Sequence, residues 1–254
     1  MRLTLIQTSL LWENPTANRE ALARHLAPLS GETDLILLPE MFTTGFSMDA
    51  ARLAEPADGP TLQWMREQAQ RSAAAVGGSV MCAESGRFFN RFYFVKPDGE
   101  ALSYDKRHLF GLAGETERYT RGERRLVVEW RGVRICPLIC YDLRFPVWSR
   151  NSASDPYDLL VYVANWPEAR SAHWRALLVA RAIENQCYTA GVNIIGADGN
   201  GLNHVGDSAL IDYSGAAIWT LHGQPGAATL RIDLDALRQW RKRLPFLESD
   251  EWSG

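Results

Sequence analysis

Short apolar runs alternate along the chain with segments in which apolar residues recur at helical spacing. The runs at 35–38, 133–139 and 159–163 are rich in Leu, Ile and Val, which is typical of strands buried on both faces. Further strands are predicted at 3–6, 79–83, 88–95, 101–104, 126–130 and 188–195, with three short strands in the tail. Helices are predicted at 14–28, 60–76, 172–186 and 234–243. This alternation indicates the α/β class.

Proline and glycine set the predicted helix boundaries. Asn14-Pro15 begins the first helix, because proline is well tolerated at the first helical position. The second helix begins at Gly59-Pro60 and carries apolar residues from Leu62 to Val76 on one face. It is expected to end at Gly77-Gly78, since glycine commonly follows a helix.

The composition is that of a globular protein: of 254 residues, 46% are hydrophobic and 22% are charged. These proportions exclude a disordered chain and a disulfide-framework miniprotein. The 27 Lys and Arg residues against 30 Asp and Glu residues give a formal net charge of −3, which argues against a nucleic-acid partner. No Pro/Ser-rich linker and no repeat divides the chain, so we expect a single domain over residues 1–254.

The chain has the features expected of a cytoplasmic protein. No window approaches the roughly eighteen consecutive apolar residues of a membrane span, and the N-terminal apolar segment is too short for a signal peptide. Cys82, Cys136, Cys140 and Cys187 lack the spacing of a metal site. We therefore expect reduced thiols, no membrane association and no bound metal.

Three chemically active side chains directly follow predicted strands: Glu40, Lys106 and Cys140. Open α/β sheets place their functional sites at strand ends, so these side chains are expected to converge. The thiol would then be a nucleophile, the carboxylate would take its proton, and the ammonium would stabilise the oxyanion formed at an attacked carbonyl. A short helix predicted at Pro146 would let backbone amides near Tyr141 donate to the same oxyanion.

Taken one at a time, these residues have other interpretations. A single cysteine that ends a buried strand is more often a small buried apolar side chain. Glu40 would then cap the following turn, and Lys106 would be an ordinary exposed lysine. If Lys106 instead lies beside the thiol, its charge is expected to lower the Cys140 pKa below the free value of about 8.5.

Three sequence motifs resemble those of the nitrilase superfamily of carbon-nitrogen hydrolases and carry the glutamate, lysine and cysteine in the expected order. The motifs are Leu38–Phe42, Tyr104–Phe110 and Ile139–Pro146. The similarity continues through Ala164-Asn165-Trp166-Pro167 and the segment His173–Asn185, so it covers nearly the whole chain. The strings Cys-Tyr-Asp-Leu-Arg-Phe-Pro and Asn-Trp-Pro look most like the ω-amidase branch.

This resemblance implies that Glu40 is the general base, Lys106 the oxyanion stabiliser and Cys140 the nucleophile of a mechanism that passes through a cysteine thioester. It also implies a second glutamate that orients the lysine and the substrate. Glu115 matches that position, although two other glutamates lie nearby. His108 would orient the site rather than act as its base, and the implied chemistry uses no cofactor.

The ω-amidase resemblance also implies a small amide substrate, 2-oxoglutaramate or a related dicarboxylate monoamide, cleaved at its distal amide. Such a substrate keeps one free carboxylate, for which a guanidinium is a suitable partner. Arg144 and Arg170 are the candidates, although Arg144 equally suits an ion pair with Asp142. The pocket walls would be Phe110, Tyr141 and Trp166, the last of which would also suit the core.

The fold implied by the resemblance is an αββα four-layer sandwich that dimerises through helices near the nucleophile and a C-terminal arm. The amphipathic stretch Leu234–Leu244 and the tail around Trp252 would form that arm. A homodimer or a larger homo-oligomer is therefore expected.

Two alternative functions stay open. The Glu, Lys and Cys set is shared by all branches of the superfamily, so a nitrilase or an N-carbamoyl amino acid amidohydrolase also fits. A non-catalytic binding module fits less well, because a scaffold needs no cation and carboxylate facing a thiol.

Overall fold

The structure, a computed structural model, describes residues 1–249 and contains within them two β-sheets of seven strands each. The first sheet consists of β1 (Arg2–Gln7), β2 (Leu35–Leu37), β3 (Glu55–Pro56), β4 (Ala75–Glu84), β5 (Arg87–Val95), β6 (Ala101–Asp105) and β14 (Gly226–Arg231). Its strand order is β14-β1-β2-β4-β5-β6, and β3 pairs with β4. The neighbours β1, β2 and β4 run parallel, whereas β14, β5 and β6 are antiparallel additions.

The second sheet has the same plan of a parallel centre with antiparallel edges. It consists of β7 (Val128–Trp130), β8 (Val133–Ile139), β9 (Leu159–Ala164), β10 (Tyr188–Asn193), β11 (Ile195–Ala197), β12 (Asn203–Ile211) and β13 (Ala217–His222). The order is β11-β12-β10-β9-β8-β7, with β13 on β12. Strands β8, β9 and β10 are parallel, so their carboxyl ends reach one edge of the sheet.

The helices connect these strands and cover the outer faces. They are α1 (Pro15–Leu26), α2 (Ala50–Leu53), α3 (Pro60–Ser72), α4 (Glu115–Arg118), α5 (Pro146–Ser149), α6 (Ser171–Asn185) and α7 (Leu234–Arg243). Short 3-10 segments lie at Ala27–Leu29, Gly111–Ala113, Cys140–Arg144, Glu168–Arg170 and Phe246–Ser249. As predicted, α1 begins after Asn14, whose side chain accepts a hydrogen bond from the Ala17 backbone N–H. None of the helices in residues 1–249 is both long and apolar enough to cross a membrane.

The two faces of β2 and its continuation belong to different cores. Leu35 and Leu37 pack in the core between the two sheets, whereas Ile36 and Leu38 pack in the core beneath α1 and α3. This division follows from the alternation of side chains along a strand. The same buried cluster continues on the outer face of the second sheet, where it includes Trp174 of α6. The layers are therefore helix, sheet, sheet and helix, which confirms the αββα sandwich.

One predicted boundary is wrong. Helix α3 ends at Ser72, Ala73 adopts a left-handed φ of 53°, and β4 already begins at Ala75. The pair Gly77-Gly78 lies inside this strand rather than closing the helix. A Cβ atom on Gly78 would come within 2.9 Å of both Leu38 Cβ and Phe42 Cδ1. These glycines therefore mark close packing against neighbouring side chains, which local sequence cannot distinguish from a helix end.

Candidate active site

A cavity of about 670 Å³ opens at the edge of the sandwich where several strands end. Lys106 directly follows β6, Cys140 directly follows β8, and Asn165 directly follows β9; all three line the cavity. The candidate substrate residues Phe110, Tyr141, Arg144, Trp166 and Arg170 line it as well. The structure thus brings to one place residues from widely separated segments of the chain.

A buried ion cluster lies at this cavity. The Lys106 Nζ donates to Glu40 Oε1 at 3.0 Å, and to Glu115 Oε1 and Oε2 at 3.0 and 2.9 Å. All three side chains have no solvent exposure. Glu115 also accepts a hydrogen bond from the Phe110 backbone N–H at 2.5 Å. Lys106 is therefore not the exposed surface lysine that its sequence context alone left open.

The position of Glu115 distinguishes it from its neighbours. Glu117 and Glu123 are exposed, whereas Glu115 is buried against Lys106. Helix α4 begins at Glu115 directly after Gly114, which has a left-handed φ of 79°. The structure therefore pairs the lysine with the glutamate that matched the sequence motif.

Two asparagines fix the carboxylate of Glu40. Asn90 Nδ2 donates to Glu40 Oε1 at 2.8 Å and, more weakly, to Glu115 Oε1 at 3.4 Å. The Asn165 backbone N–H donates to Glu40 Oε2 at 2.8 Å, and its side-chain Nδ2 donates to the Glu40 carbonyl oxygen at 2.6 Å. Both carboxylate oxygens are thus occupied by donors, which hold the group in one orientation.

Electrostatics keep Lys106 positively charged. Burial alone would lower the pKa of Lys106, but the negative charges of Glu115 and Glu40 outweigh it and raise that pKa above its ordinary value. The ring of Phe46 adds a cation–π contact, with the lysine nitrogen 5.0 Å from the ring centroid. The site therefore holds a fixed, buried cation at the cavity.

Cys140 occupies a strained turn. Strand β8 ends at Ile139, and the backbone enters a 3-10 turn over Cys140–Arg144. Cys140 itself has a left-handed φ of 45°, a conformation that is costly for a residue with a Cβ atom. Such strain persists only where the surrounding contacts over-determine it, and it is frequent at functional sites.

The expected lowering of the Cys140 pKa is wrong. Burial and the negative charge of Glu40 raise the pKa of this thiol well above its ordinary value, and the opposing effect of Lys106 is smaller. The expected lowering took into account the positive charge of Lys106, but not the burial of the thiol or the two carboxylates that pair with the lysine. At neutral pH the thiol is consequently protonated, and an attack on a substrate requires a base to remove its proton.

The remaining candidate residues form the wall and mouth of the cavity. The guanidinium of Arg144 lies 4.7 Å from the ring centroid of Trp166, and that of Arg170 lies 5.4 Å from that of Phe110. Phe110 in turn meets Tyr141 edge to face, at 5.0 Å between ring centroids. Trp166 lines the cavity and also packs in the buried core cluster.

Arg144 does not pair with Asp142. Its Nη2 lies 3.1 Å from His173 Nδ1, whereas the carboxylate of Asp142 contacts His108. The His108 ring stacks on Phe145 with 3.7 Å between centroids, and it does not line the cavity. Arg144 therefore keeps its charge available at the cavity.

Sequence reasoning missed several residues of the site. Asn90 could have been singled out from the sequence, because it is the only amide in the run 88–94, whose other residues are aromatic or basic. Phe46 and His204 carried no local signal, since the fold brings the Phe46 loop and strand β12, which contains His204, to the cavity. His204 is buried, and burial lowers its pKa, so its ring is neutral at physiological pH.

The αββα sandwich thus carries a cysteine and a lysine on the wall of one cavity, with two glutamates buried against the lysine, an arrangement suited to a hydrolase. The chain belongs to the carbon-nitrogen hydrolase family, whose model matches residues 2–242. It is 46% identical to the omega-amidase YafV of Escherichia coli, over 99% of this chain and 98% of that protein. It is 32% identical to a 2-oxoglutaramate amidase of Bacillus subtilis, over 97% and 96% of the two chains.

A solved structure shares the architecture closely. A CN-hydrolase superfamily protein from Xanthomonas campestris, which carries an arsenic adduct in its active site, superposes with a TM-score of 0.97. The two chains are 46% identical, and the match covers 99% of this chain and 97% of that one. Together these similarities show that the protein is an amidase, a hydrolase of carbon-nitrogen bonds.

Alkylation of Cys140 tests the electrostatics of the site. The pH midpoint of its reaction with iodoacetamide, followed by mass analysis of the Cys140 peptide, is expected above the free thiol value of about 8.5. In Glu40→Gln the midpoint falls, because a negative charge beside the thiol is lost. Glu117→Gln, the same change at an exposed residue, leaves it unaltered. A wild-type midpoint below the free value would contradict the raised pKa of Cys140.

Proposed function

We propose that the protein hydrolyses the distal amide of 2-oxoglutaramate or a related dicarboxylate monoamide to the free acid and ammonia. The observation that carries the proposal is the presence of two arginines, Arg144 and Arg170, at the cavity that also contains Cys140 and Lys106. Within residues 1–249 neither arginine is ion-paired with a protein carboxylate; Arg144 contacts His173 and Trp166, and Arg170 contacts Phe110. The names of the two curated relatives point to the same substrate class.

In the proposed first half-reaction, Cys140 is the nucleophile and Glu40 the general base. As Sγ forms its bond to the amide carbon, the thiol proton passes to Glu40, and the carbonyl electrons become an oxyanion. Lys106 and the Tyr141 backbone N–H donate to that oxyanion. Glu40 then returns the proton to the amide nitrogen as the carbon–nitrogen bond breaks, so ammonia leaves and a thioester remains.

The second half-reaction uses the same groups. Glu40 takes a proton from water, and the hydroxide oxygen attacks the thioester carbon. The oxyanion again forms beside Lys106, and its collapse breaks the carbon–sulfur bond. The thiolate of Cys140 recovers the proton from Glu40, which restores the resting state and releases the acid.

Glu115 has a supporting role in this proposal. Its two oxygens hold the lysine nitrogen from one side, while Glu40 holds it from the other. When Glu40 becomes protonated, Glu115 is the remaining anionic partner of Lys106. The ammonium therefore stays charged and in place when the oxyanion needs it.

The charge distribution supports one substrate orientation. Two glutamates and one lysine give the ion cluster a net charge of −1, which repels a second carboxylate. The two arginines offer positive charge elsewhere on the cavity wall. A dicarboxylate monoamide fits this arrangement with its amide at Cys140 and its free carboxylate at the arginines.

Ammonia release tests the reaction. Wild-type protein should release ammonia from 2-oxoglutaramate and succinamate, and Cys140→Ala should lower the rate by at least about 10³-fold, because the nucleophile is gone. Cys82→Ala, which removes a buried thiol elsewhere, serves as the matched control. Turnover of an aliphatic nitrile or a ureido acid, with silence on every monoamide, would overturn the substrate assignment.

Charge selectivity tests the arginines. Arg144→Met should raise KM for succinamate about 10- to 100-fold, the usual worth of a charge-assisted hydrogen bond, and leave KM for the uncharged amide butyramide within threefold. Arg170→Met shows whether the second guanidinium contributes, and Arg131→Met, at an exposed turn, is the control. An equal change for charged and uncharged amides would show that Arg144 does not bind the carboxylate.

We further propose that the chain forms one domain with a C-terminal arm and assembles as a homodimer in the cytoplasm. The support for assembly is exposed apolar side chains near the nucleophile turn and the C-terminus: Val147, Ile183 and Phe246 are 66%, 50% and 60% exposed. Trp252, which was expected in the arm, lies outside the described residues. All four cysteines are free thiols, which suits a reducing compartment.

Sedimentation velocity tests the assembly. Wild-type protein should sediment as a dimer or a larger homo-oligomer, and Ile183→Asp should shift it to the monomer, because a charge would be buried at the interface. Leu11→Asp changes a comparably exposed side chain before α1 and should leave the assembly intact. A monomeric wild type at micromolar concentration would contradict the proposal.

A further inference from the structure

We infer that Asp142 is a positioning residue that holds the Cys140 turn and the Lys106 segment in fixed register, an inference that rests on the catalytic roles proposed for those two residues. Asp142 does not line the cavity, and no step of the proposed reaction uses its carboxylate, so its role is to hold its neighbours in place.

The carboxylate of Asp142 is fully buried and accepts four hydrogen bonds. Its Oδ2 accepts from the Tyr104 hydroxyl at 2.8 Å and from the Ile139 backbone N–H at 3.1 Å. Its Oδ1 accepts from the His108 backbone N–H at 2.9 Å and lies 2.8 Å from His108 Nδ1. A buried carboxylate with donors on both oxygens is held in a single orientation.

One of these four contacts concerns the nucleophile. Asp142 lies two residues after Cys140, and its side chain reaches back to the N–H of Ile139, the residue before it. This bond closes the backbone around Cys140, whose left-handed φ of 45° is unfavourable on its own. Asp142 therefore supplies one of the contacts that keep the strained turn in place.

The other contacts concern the lysine. Tyr104 and His108 flank Lys106 in sequence, and both are bound to the Asp142 carboxylate. The Arg107 backbone N–H also donates to the Tyr104 hydroxyl, at 3.2 Å. Asp142 is thus the group that joins the segment after β6 to the turn after β8.

The opposite side of Lys106 is fixed independently. Its backbone N–H donates to the Asn90 carbonyl oxygen, and its carbonyl oxygen accepts from the Gly122 N–H, both at 2.9 Å. Because these bonds anchor the lysine to the first sheet, the Asp142 contacts set its position relative to the second sheet. The distance between the thiol and the ammonium depends on that link.

The network is closed on its outer side by aromatic residues. The Tyr104 hydroxyl accepts a hydrogen bond from Trp148 Nε1 at 2.9 Å, and Trp148 belongs to α5. The His108 ring stacks on Phe145, which precedes that helix. These packed side chains leave the carboxylate little freedom to move, as a positioning role requires.

Asp142→Asn is the primary test. The replacement has nearly the same shape, but its amide nitrogen cannot accept two of the four hydrogen bonds. With 2-oxoglutaramate and succinamate, kcat should fall at least about tenfold, because small misplacements of reacting groups are costly, while KM stays within threefold. Asp158→Asn is the matched control; Asp158 precedes β9, at the end opposite the cavity, and pairs with Arg241.

A substrate-independent measurement separates this inference from the proposed function. In Asp142→Asn, the pH midpoint of Cys140 alkylation should fall toward the free value of about 8.5, because the thiol is no longer held beside Glu40. If wild-type protein hydrolyses none of the amides, the proposed function fails while this measurement still tests Asp142. An unchanged midpoint together with an unchanged kcat would overturn the inference.

Tyr104→Phe provides a second variant in case Asp142→Asn does not fold. It removes a single oxygen and one hydrogen bond to the carboxylate, so it should lower kcat in the same direction but by less. In the double variant the two effects should be less than additive, since both residues act through one network. Full additivity, or a Tyr104→Phe variant with wild-type kcat, would count against a shared positioning role.

Discussion

The pairing of one buried ammonium with two buried carboxylates is the interaction on which the site depends. Transferring each ion from water costs several kcal/mol, and removing one partner of such a pair typically costs about 3–5 kcal/mol. Glu40, Lys106 and Glu115 are entirely buried, and Lys106 lies 66 residues from Glu40 in the chain. The cluster is stable only because the sandwich brings three separate segments of the chain together and surrounds them with donors.

Those donors come from both sheets. Asn90 belongs to β5 of the first sheet, and Asn165 follows β9 of the second. Each donates to a different oxygen of Glu40. The carboxylate therefore lies at the junction of the two sheets, and its orientation depends on how they stack. Changes in the inter-sheet core would be transmitted to Glu40 by this route.

Much of this arrangement could be predicted from the sequence. Apolar runs bounded by Pro39 and Cys140 identify strands buried on both faces, and strand ends identify where polar side chains meet. That reasoning singled out Glu40, Lys106 and Cys140 as candidates, and the motif resemblance then implied their roles and added Glu115. The αββα sandwich followed from the same resemblance.

The errors have physical causes. Gly77 and Gly78 resemble a helix end locally, but their lack of a Cβ atom matters for contacts with side chains distant in sequence. The expected direction of the Cys140 pKa shift was wrong because the burial of the thiol and its proximity to Glu40 are tertiary effects. Asn90 was missed because its hydrogen-bond partners lie 50 and 25 residues away. Local patterns report strand ends well and three-dimensional neighbours poorly.

The charge balance of the cluster also explains why a protonated thiol suits the proposed chemistry. At rest, two glutamates and one lysine give a net charge of −1. During attack the thiol proton neutralises Glu40, and one negative charge appears on the oxyanion instead. The buried charge is therefore the same before and after, and only its position changes. Lys106 exchanges one anionic partner for another while Glu115 stays bound, so the step needs little reorganisation of the surroundings.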